Sequence, residues 1–441
     1  MDIPEQVRRS LIISMVFVCV SCGVSARHYV ILDRHLASGE CGPALEYMDT
    51  RGKNYGSNAR LLYMLDKGMV YLLCGRYGES AHILQKAGDL AEELWTVSIS
   101  KEMATYFVSE YTQAYRGEDF ERAMINIVSA VDYLLMGQPD EALVECRRLD
   151  EKLSLYNQKY GEKNVYKEDA FGRYLSGMIY ESRGMLSDAY IDYRKAFETY
   201  MDYEVSYGTT VPAPLKQDLM RLAAKLGFSD DLVEYRETFG DIAVQDHRRT
   251  DSMGRIVLIQ FDGRSPRKVQ DKVFINTEVG PITLAFPRFK SVSSGVGKGT
   301  LTLTSANDSR HLQGETFLAE NIEGIAIKNL DDRKTRVITK TIVRAVAKQA
   351  IISAASRAAT KDPSSQEAIH MVLNLANIFL EQADTRSWRT LPARIYLSSI
   401  FVDPGVYMAS ADVRGGHTNP LGLVEVKQGE TIFLFLETMY K

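Results

Sequence analysis

The chain has 441 residues, of which 45% are apolar and 25% are charged, a composition typical of globular proteins. This length exceeds what a single hydrophobic core usually supports, so it predicts two domains. The net charge is −4, with +5 on residues 241–441 and therefore −9 on residues 1–240. Because no stretch of the sequence concentrates basic residues, we expect no binding to nucleic acid.

The first predicted element is an apolar run, Leu11 to Val20, that follows a short charged segment. Ten helical residues rise about 15 Å, half of a ~30 Å hydrocarbon core, which is typical of a signal-peptide h-region and too short for a spanning helix. Ser21 and Cys22 follow directly. This order resembles a bacterial lipoprotein signal, in which the chain is cut before a cysteine that takes a diacylglycerol. The resemblance implies that residues 1–21 are a signal peptide and that Cys22 is lipidated.

Two alternatives remain for this segment, an ordinary cleaved secretory signal and an uncleaved anchor, because Cys19 stands where lipoprotein signals prefer Leu. Cys19 and Cys22 also have the spacing of a redox or zinc CxxC pair, but no second Cys or His pair lies nearby. Gly23 is not the Asp that retains lipoproteins of enteric bacteria at the inner membrane. We therefore expect a lipid-anchored protein of the bacterial cell envelope, on the periplasmic face of the outer membrane.

Only three cysteines follow Cys22, namely Cys41, Cys74 and Cys146. Three thiols cannot all pair, which excludes a disulfide-dense scaffold even in an oxidising periplasm. Cys74 and Cys146 lie in apolar helical sequence, so we expect both to be buried free thiols.

Residues 22–240 are predicted to form an all-α, irregular TPR-like solenoid. The clearest copy, "YLSGMIYESRGMLSDAYIDYRKA" (Tyr174 to Ala196), resembles a tetratricopeptide repeat in its spacing of small, large and turn residues. A small residue lets two helices approach closely, and a glycine ends the first helix of each pair. The turn glycines of four copies are Gly39, Gly75, Gly137 and Gly184. Their spacings of 36, 62 and 47 residues are irregular, so a generic helical bundle with chance matches is the alternative.

Tyrosine is concentrated in this half, where 21 of the 24 tyrosines lie before residue 240. Most are expected in the core between helices. A few could line a groove of the kind with which solenoids bind extended peptides or helices. The predicted groove positions are Tyr106, Tyr111, Tyr115, Tyr203 and Tyr207.

Beyond the helical half the pattern changes to short runs in which apolar and polar residues alternate, which predicts strands. We expect residues 241–441 to form a mixed β domain, a sheet or sandwich, with a helical hairpin inserted at about 329–384. The first inserted helix is predicted from Asn329, with Asp331 and Asp332 in its first turn, as the helix dipole favours. The fold class is therefore α+β with two domains.

No motif points to catalysis or metal binding. "SSGVGKGT" (Ser293 to Thr300) lacks the glycine spacing and the Ser or Thr of a phosphate-binding loop, so we expect a glycine-rich hairpin turn. The seven histidines are scattered without metal-binding spacing. We therefore predict no catalytic, cofactor or metal residues and no enzymatic activity.

One polar segment, "EQADTRSWRTLP", is a candidate binding corner with Glu381, Asp384, Arg386 and Trp388 as its residues. Paired carboxylates could serve acid–base chemistry only inside a cleft that shifts the pKa of one of them. The interpretation we favour is a helix-to-strand corner held by ion pairs and a packed tryptophan.

Four segments together resemble a family of uncharacterised bacterial lipoproteins that have a TPR-like amino half and a mixed β/α carboxyl half. They are "YRGEDFERAMINIVSAVDYLLMGQPDEALVECRRLDEKL", "DAFGRYLSGMIYESRGMLSDAYIDYRKA", "LAENIEGIAIKNLDDRKTRVITKTIVRAVAKQ" and "LEQADTRSWRTLPARIYLS". The resemblance implies an envelope lipoprotein without a settled activity and offers no catalytic residues to transfer. Relatives are often encoded near lipoproteins similar to the curli-secretion and penicillin-binding-protein-activator class.

These observations predict a lipid-anchored envelope scaffold or adaptor that binds a protein partner through its TPR-like helices, in secretion or in the regulation of peptidoglycan synthesis. The alternative is a periplasmic solute- or lipid-binding lipoprotein. A hydrolase of envelope polymers ranks below both.

Overall fold

The computed structural model describes residues 26–100, 113–160, 166–240, 242, 246–277, 280–292, 295–308, 310–359, 362–366, 369, 382–413 and 417–440. The predicted signal segment and Cys22 lie outside these residues. The described helices are α1 (Ala26–Ala37), α2 (Cys41–Arg51), α3 (Arg60–Leu73), α4 (Tyr77–Ser100), α5 (Asp119–Leu135), α6 (Pro139–Tyr160), α7 (Ala170–Ser182), α8 (Leu186–Tyr207), α9 (Ala213–Leu226), α10 (Ser229–Phe239), α11 (His247–Thr250) and α12 (Ile322–Ala359). The described strands are β1 (Gly254–Arg264), β2 (Arg267–Thr277), β3 (Gly280–Lys290), β4 (Gly299–Ser305), β5 (His311–Glu315), β6 (Phe317–Glu320), β7 (Pro392–Val402), β8 (Gly405–Val413), β9 (His417–Val426) and β10 (Thr431–Thr438).

The amino half consists of helix pairs joined by short turns, from α1–α2 to α9–α10. Each turn contains a glycine in the left-handed region, where a side chain would strain the backbone. These glycines, with φ between 68° and 77°, are Gly39, Gly75, Gly137, Gly184 and Gly227. The predicted TPR-like solenoid is confirmed, and α9–α10 adds a fifth pair, in the described residues, that the sequence pattern did not indicate.

Small residues stand where the paired helices touch. A Cβ atom added to Gly68 of α3 would lie 2.6 Å from Leu84 of α4, and one added to Gly177 of α7 would lie 2.4 Å from the ring of Tyr193 on α8. Both distances are shorter than any ordinary carbon contact. The repeat positions therefore encode packing between helices, as the spacing predicts.

The prediction that Cys74 is a free thiol is wrong. Cys41 at the start of α2 and Cys74 after the end of α3 form a disulfide, with their Cα atoms 5.5 Å apart. The packing of neighbouring helices brings these two ends within the range that a disulfide requires. Cys146 is buried and free, as predicted.

The described strands form two four-stranded sheets, with the orders β10-β1-β7-β6 and β5-β4-β8-β9, and the separate hairpin β2–β3. β1 pairs parallel with β10 and antiparallel with β7. The two larger sheets share a core that includes Ile256, Leu258, Leu301 and Ala409, so they pack face to face as a sandwich.

β1 is buried on both faces. Ile256 and Leu258 face the second sheet, whereas Val257, Ile259 and Phe261 pack in the core that contains the helices. A strand covered on both sides reads as a continuous apolar run, which explains the stretch "IVLIQF". The molecule thus has three layers: helices, the β1 sheet and the outer sheet.

The inserted helix begins earlier than predicted. α12 starts at Ile322, after Asn321 accepts a hydrogen bond on its Oδ1 atom from the backbone N–H of Gly324 at 3.0 Å. Asp331 and Asp332 therefore lie well inside the helix, because the Asn321 cap sets its start. Of the second predicted helix, which would end at Asp384, residues 363–366 are helical and residues 382–384 are not, and most of the remainder lies outside the described residues.

The glycine-rich segment "SSGVGKGT" is not a hairpin turn. It connects β3 to β4, which belong to different sheets. Its Gly297, with φ 81°, donates its backbone N–H to Asp262 at 3.2 Å.

No helix among the described residues has both the length and the hydropathy that a membrane span needs.

Candidate functional site

The predicted corner lies between the two halves of the molecule. Residues 382–391 form an irregular segment, with a turn at Arg389 and Thr390, that leads into β7. The structure brings Asp384, Arg386 and Trp388 of this segment against the helices, whereas Glu381 lies outside the described residues. Both Arg386 and Trp388 are buried, at 6% and 0% exposure.

Arg386 fastens the segment to the helical half. Its Nε and Nη2 atoms donate to the two carboxylate oxygens of Asp384 at 2.8 and 2.7 Å. Its Nη1 atom donates to the backbone carbonyls of Asn58 and Gln113 at 2.9 and 3.0 Å. The guanidinium also lies 5.2 Å from the ring centre of Tyr115. Its Nη1 atom therefore joins the segment to distant parts of the helical half, while Nε and Nη2 form a local ion pair with Asp384.

Trp388 connects the segment to a buried carboxyl group. Its Nε1 atom donates to the hydroxyl of Thr390 at 3.0 Å, and that hydroxyl donates to Asp66 on α3 at 2.8 Å. Tyr29 and Tyr55 also donate to Asp66, each at 2.8 Å. Burial raises the pKa of Asp66 to about 6, although these three hydroxyls oppose the shift.

Two glutamates at the start of α5 complete the site, and neither is among the site residues predicted from the sequence. Glu118 pairs with Lys268 of β2 and Arg333 of α12. Burial would raise the pKa of Glu118, but Arg333 and Lys268 outweigh burial and hold that pKa well below its usual range. Glu121 accepts hydrogen bonds from the backbone N–H of Glu118 at 2.8 Å and of Trp388 at 2.7 Å. The capping-box spacing of the two glutamates ahead of an apolar helix is the signal that could have identified them.

These charges surround a small polar cavity of about 100 Å³. Glu118, Lys268, Arg333 and Asp384 are among its lining residues. Each of these four has an oppositely charged partner within the described residues. The arrangement therefore joins α5, α12, the β2–β3 hairpin and the corner segment, and it offers a ligand little room.

The predicted tyrosine groove is not present at the described positions. Tyr115 donates its hydroxyl to Glu121, Tyr203 donates to the backbone carbonyl of Glu168 at 3.1 Å, and Tyr207 is 9% exposed. These side chains are buried because the carboxyl half packs against the helices. Tyr106 and Tyr111 lie outside the described residues.

A different groove is open on the helical half, between α4, α5 and α6. It has a volume of about 350 Å³ and is lined by, among others, Glu92, Trp95, Asn126, Lys152 and Leu155. We call it the α4–α6 groove. The Nζ atom of Lys152 donates to Asn126 at 2.6 Å, and burial lowers the pKa of this lysine to about 8.

The α4–α6 groove combines apolar and charged groups. Leu155 is 50% exposed. Glu145, a further lining residue, accepts hydrogen bonds from Asn126 and Arg148, both at 2.7 Å. Such a mixture of an exposed apolar side chain and polar groups on rigid helices can hold an extended protein segment.

No protein-family model matches the chain, and no curated protein matches its sequence. Among solved structures, the chain is similar to two crystal structures of nearly identical TPR-like repeats from a kinesin light chain-like protein of Podosopora anserina, one of them a substituted form. Their sequence identities are 15% and 14%, and their TM-scores are 0.31 and 0.30. The alignments cover 49% of this chain and 92% and 93% of those chains. At such TM-scores the similarity supports no conclusion, so the TPR-like description rests on the helix pairs themselves.

Proposed function

We propose that the protein is a lipid-anchored scaffold of the bacterial cell envelope that binds a protein partner through its helical half. The observation that carries this proposal is the α4–α6 groove, whose described lining contains no residue of the carboxyl half, whereas that half covers parts of α5 and α7. The role is non-catalytic in this proposal, because the charged groups of the corner are used in joining the two halves.

The groove favours a partner that presents an extended segment. Trp95 and Leu155 offer apolar contact, and Glu92 and Arg148 offer charges of both signs at the groove edge. Because these side chains stand on three packed helices, the partner would meet a preformed surface and little ordering cost would oppose binding.

Lipid anchoring at Cys22 is part of the same proposal. The Cys41–Cys74 disulfide supports export, because disulfides persist in oxidising compartments and are rare in the cytosol. Acyl chains on Cys22 would hold the scaffold at the membrane, since each buried methylene contributes about 0.8 kcal/mol.

Site-specific photo-crosslinking in intact cells tests the groove. A photoreactive amino acid at Leu155 should capture one partner protein in clearly higher yield than a control position. The matched control is Val205 on α8, an apolar residue that is 89% exposed and outside the groove. Equal capture from both positions, or none from Leu155, would contradict the proposal.

Metabolic labelling with a clickable fatty acid tests the anchor. The wild-type protein should incorporate the label, and the Cys22→Ser variant should not. Non-reducing mass spectrometry of the same material should find the peptides of Cys41 and Cys74 linked. An unlabelled wild-type protein with its leader intact would rule out the anchored form.

A further inference from the structure

The first described helix borders a recess with an excess of basic side chains. The recess lies between α1 and the turn from β1 to β2 and has a volume of about 320 Å³. Arg264, Arg267 and Arg389 line it, together with Asp33. Asp33 is the one acidic residue among the described lining residues, and it pairs with Arg264. The guanidinium of Arg389 lies 4.0 Å from the ring centre of Tyr29.

More basic residues continue this surface on both sides. Arg267 of β2 is the cross-strand partner of Lys290 of β3, and both are exposed. Neither makes an ion pair within the part of the chain that the structure describes. On α1, Arg27 and Arg34 are exposed at helical spacing around Val30, which is 57% exposed and lines the recess. We call these groups the α1 basic surface: Arg27, Arg34, Arg264, Arg267, Lys290 and Arg389.

Basic side chains outnumber acidic ones at this surface, since Asp33 is the one acidic residue among the described residues that line the recess. Its position is also defined by the chain. α1 begins at Ala26, four residues after Cys22. Four extended residues span at most about 14 Å. An acyl group on Cys22 would therefore keep the start of α1 within that distance of the bilayer.

We propose that the α1 basic surface binds the anionic headgroups of a phospholipid bilayer and orients the protein on the membrane. The inference rests on the proposed acylation of Cys22, which would place this surface at the headgroups. Each Lys or Arg near an anionic bilayer strengthens partitioning about fivefold. Arg267 and Lys290 are suitable positions for the test, because both are exposed and neither makes an ion pair within the described residues.

Vesicle cosedimentation of an unacylated chain tests the surface directly. The chain from Gly23 to Lys441 is suitable, because all described helices, strands and core residues lie within it. The vesicles are phosphatidylcholine alone or with roughly one-third phosphatidylglycerol. We expect binding to the anionic vesicles only, with a strong decrease at high salt, because screening weakens exposed charges.

The double variant Arg267→Glu with Lys290→Glu should reduce partitioning into anionic vesicles by about 30-fold or more. The matched control, Lys86→Glu with Lys195→Glu, makes the same change of charge at exposed positions on α4 and α8 and should bind within about twofold of wild type. Thermal unfolding checks that both variants are folded. Equal binding of wild type to both vesicles, no binding to either, or equal loss in both double variants would overturn the inference.

The labelling experiment on Cys22 separates this inference from the proposed function. An acylated Cys22 with no charge-dependent vesicle binding would leave the anchor and remove the α1 basic surface. An unacylated Cys22 with charge-dependent binding would remove the anchor and leave a surface that binds membranes peripherally.

Discussion

Asp132 on α5 shows, at the scale of one residue, how strongly this core perturbs a polar group. The side chain is 0% exposed, and the nearby hydroxyl of Ser80 donates to the backbone carbonyl of Gly68 at 2.9 Å. Burial raises the pKa of Asp132 to about 8, against a smaller opposing effect of Ser80. The carboxyl group is therefore protonated in the folded protein at pH values where the unfolded chain has lost that proton.

This shift predicts that Asp132 makes the free energy of unfolding fall as pH rises. Its stabilising contribution is complete below the unfolded pKa near 4 and is lost as pH rises to the folded pKa near 8. Between about pH 5 and pH 8 the loss should be about 2–4 kcal/mol. The Asp132→Asn variant, measured by urea unfolding at several pH values, should lack this part of the slope. The exposed Glu93→Gln serves as the control, and an unchanged slope in Asp132→Asn would show that the carboxyl group is not responsible.

The candidate corner was partly predictable at this scale. Asp384, Arg386 and Trp388 are close in sequence, so their local ion pair and packed ring could be anticipated. Glu121 could not be connected to Trp388, because 267 residues separate them. Only the fold decides which distant carboxylate meets a given backbone N–H.

The helix pair is the element whose rules are clearest in the sequence. Glycines supply the left-handed turn, and small residues supply the close approach, so spacing alone locates most pairs. The sequence pattern predicts a later start for the first inserted helix than the structure shows, because the capping residue, Asn321, directly follows a strand. The start of this helix depends on where the preceding strand ends, and the helical periodicity of the sequence does not show that position.

The need for a small residue where paired helices touch predicts that Gly177→Ala destabilises the protein. The added methyl group would lie 2.4 Å from the ring of Tyr193, which is buried and whose hydroxyl donates to Glu181 at 2.8 Å. The ring is held by its attachment to α8 at one end and by its hydroxyl at the other. Overpacking should therefore cost about 1–3 kcal/mol in the free energy of unfolding. Urea unfolding at constant pH measures the cost.

A matched change distinguishes packing from helix propensity. Gly88 on α4 has only an ordinary contact for an added Cβ, 3.8 Å from Ile125. Gly88→Ala should therefore stabilise the protein by about 0.5–1 kcal/mol, because alanine loses less backbone entropy in a helix. Equal effects of the two alanine substitutions would show that close helix contact does not explain Gly177.

At the scale of the whole molecule, one hydrophobic core extends through both halves. Phe120 and Phe171 of the helices share it with Ile259 and Phe261 of β1. Ion pairs also connect the two halves, since Arg255 of β1 donates to Asp218 of α9 at 2.7 Å. The helices and the sheet therefore stabilise each other.

This shared core predicts that the helical half is poorly stable without the carboxyl half. A chain of residues 23–245 alone would expose the faces of α5 and α7 that the carboxyl half covers, with β10 and α12 against α5 and β6 against α7. It should bind a hydrophobic dye and aggregate on size-exclusion chromatography, because an uncovered apolar face of this size promotes association. Co-expression with residues 246–441 should restore a soluble complex. A monomeric helical half with the unfolding midpoint of the full chain would contradict the prediction.

The sequence by itself determined the α+β class, the helix pairs with their turn glycines and the alternation of the strands, because these depend on contacts within one or two turns. The tertiary structure alone decided that Cys74 pairs with Cys41, that Tyr115, Tyr203 and Tyr207 are buried, and that the carboxyl half covers the helices. Those outcomes depend on the packing of segments far apart in the chain. Local residue patterns do not show which surface another element will cover.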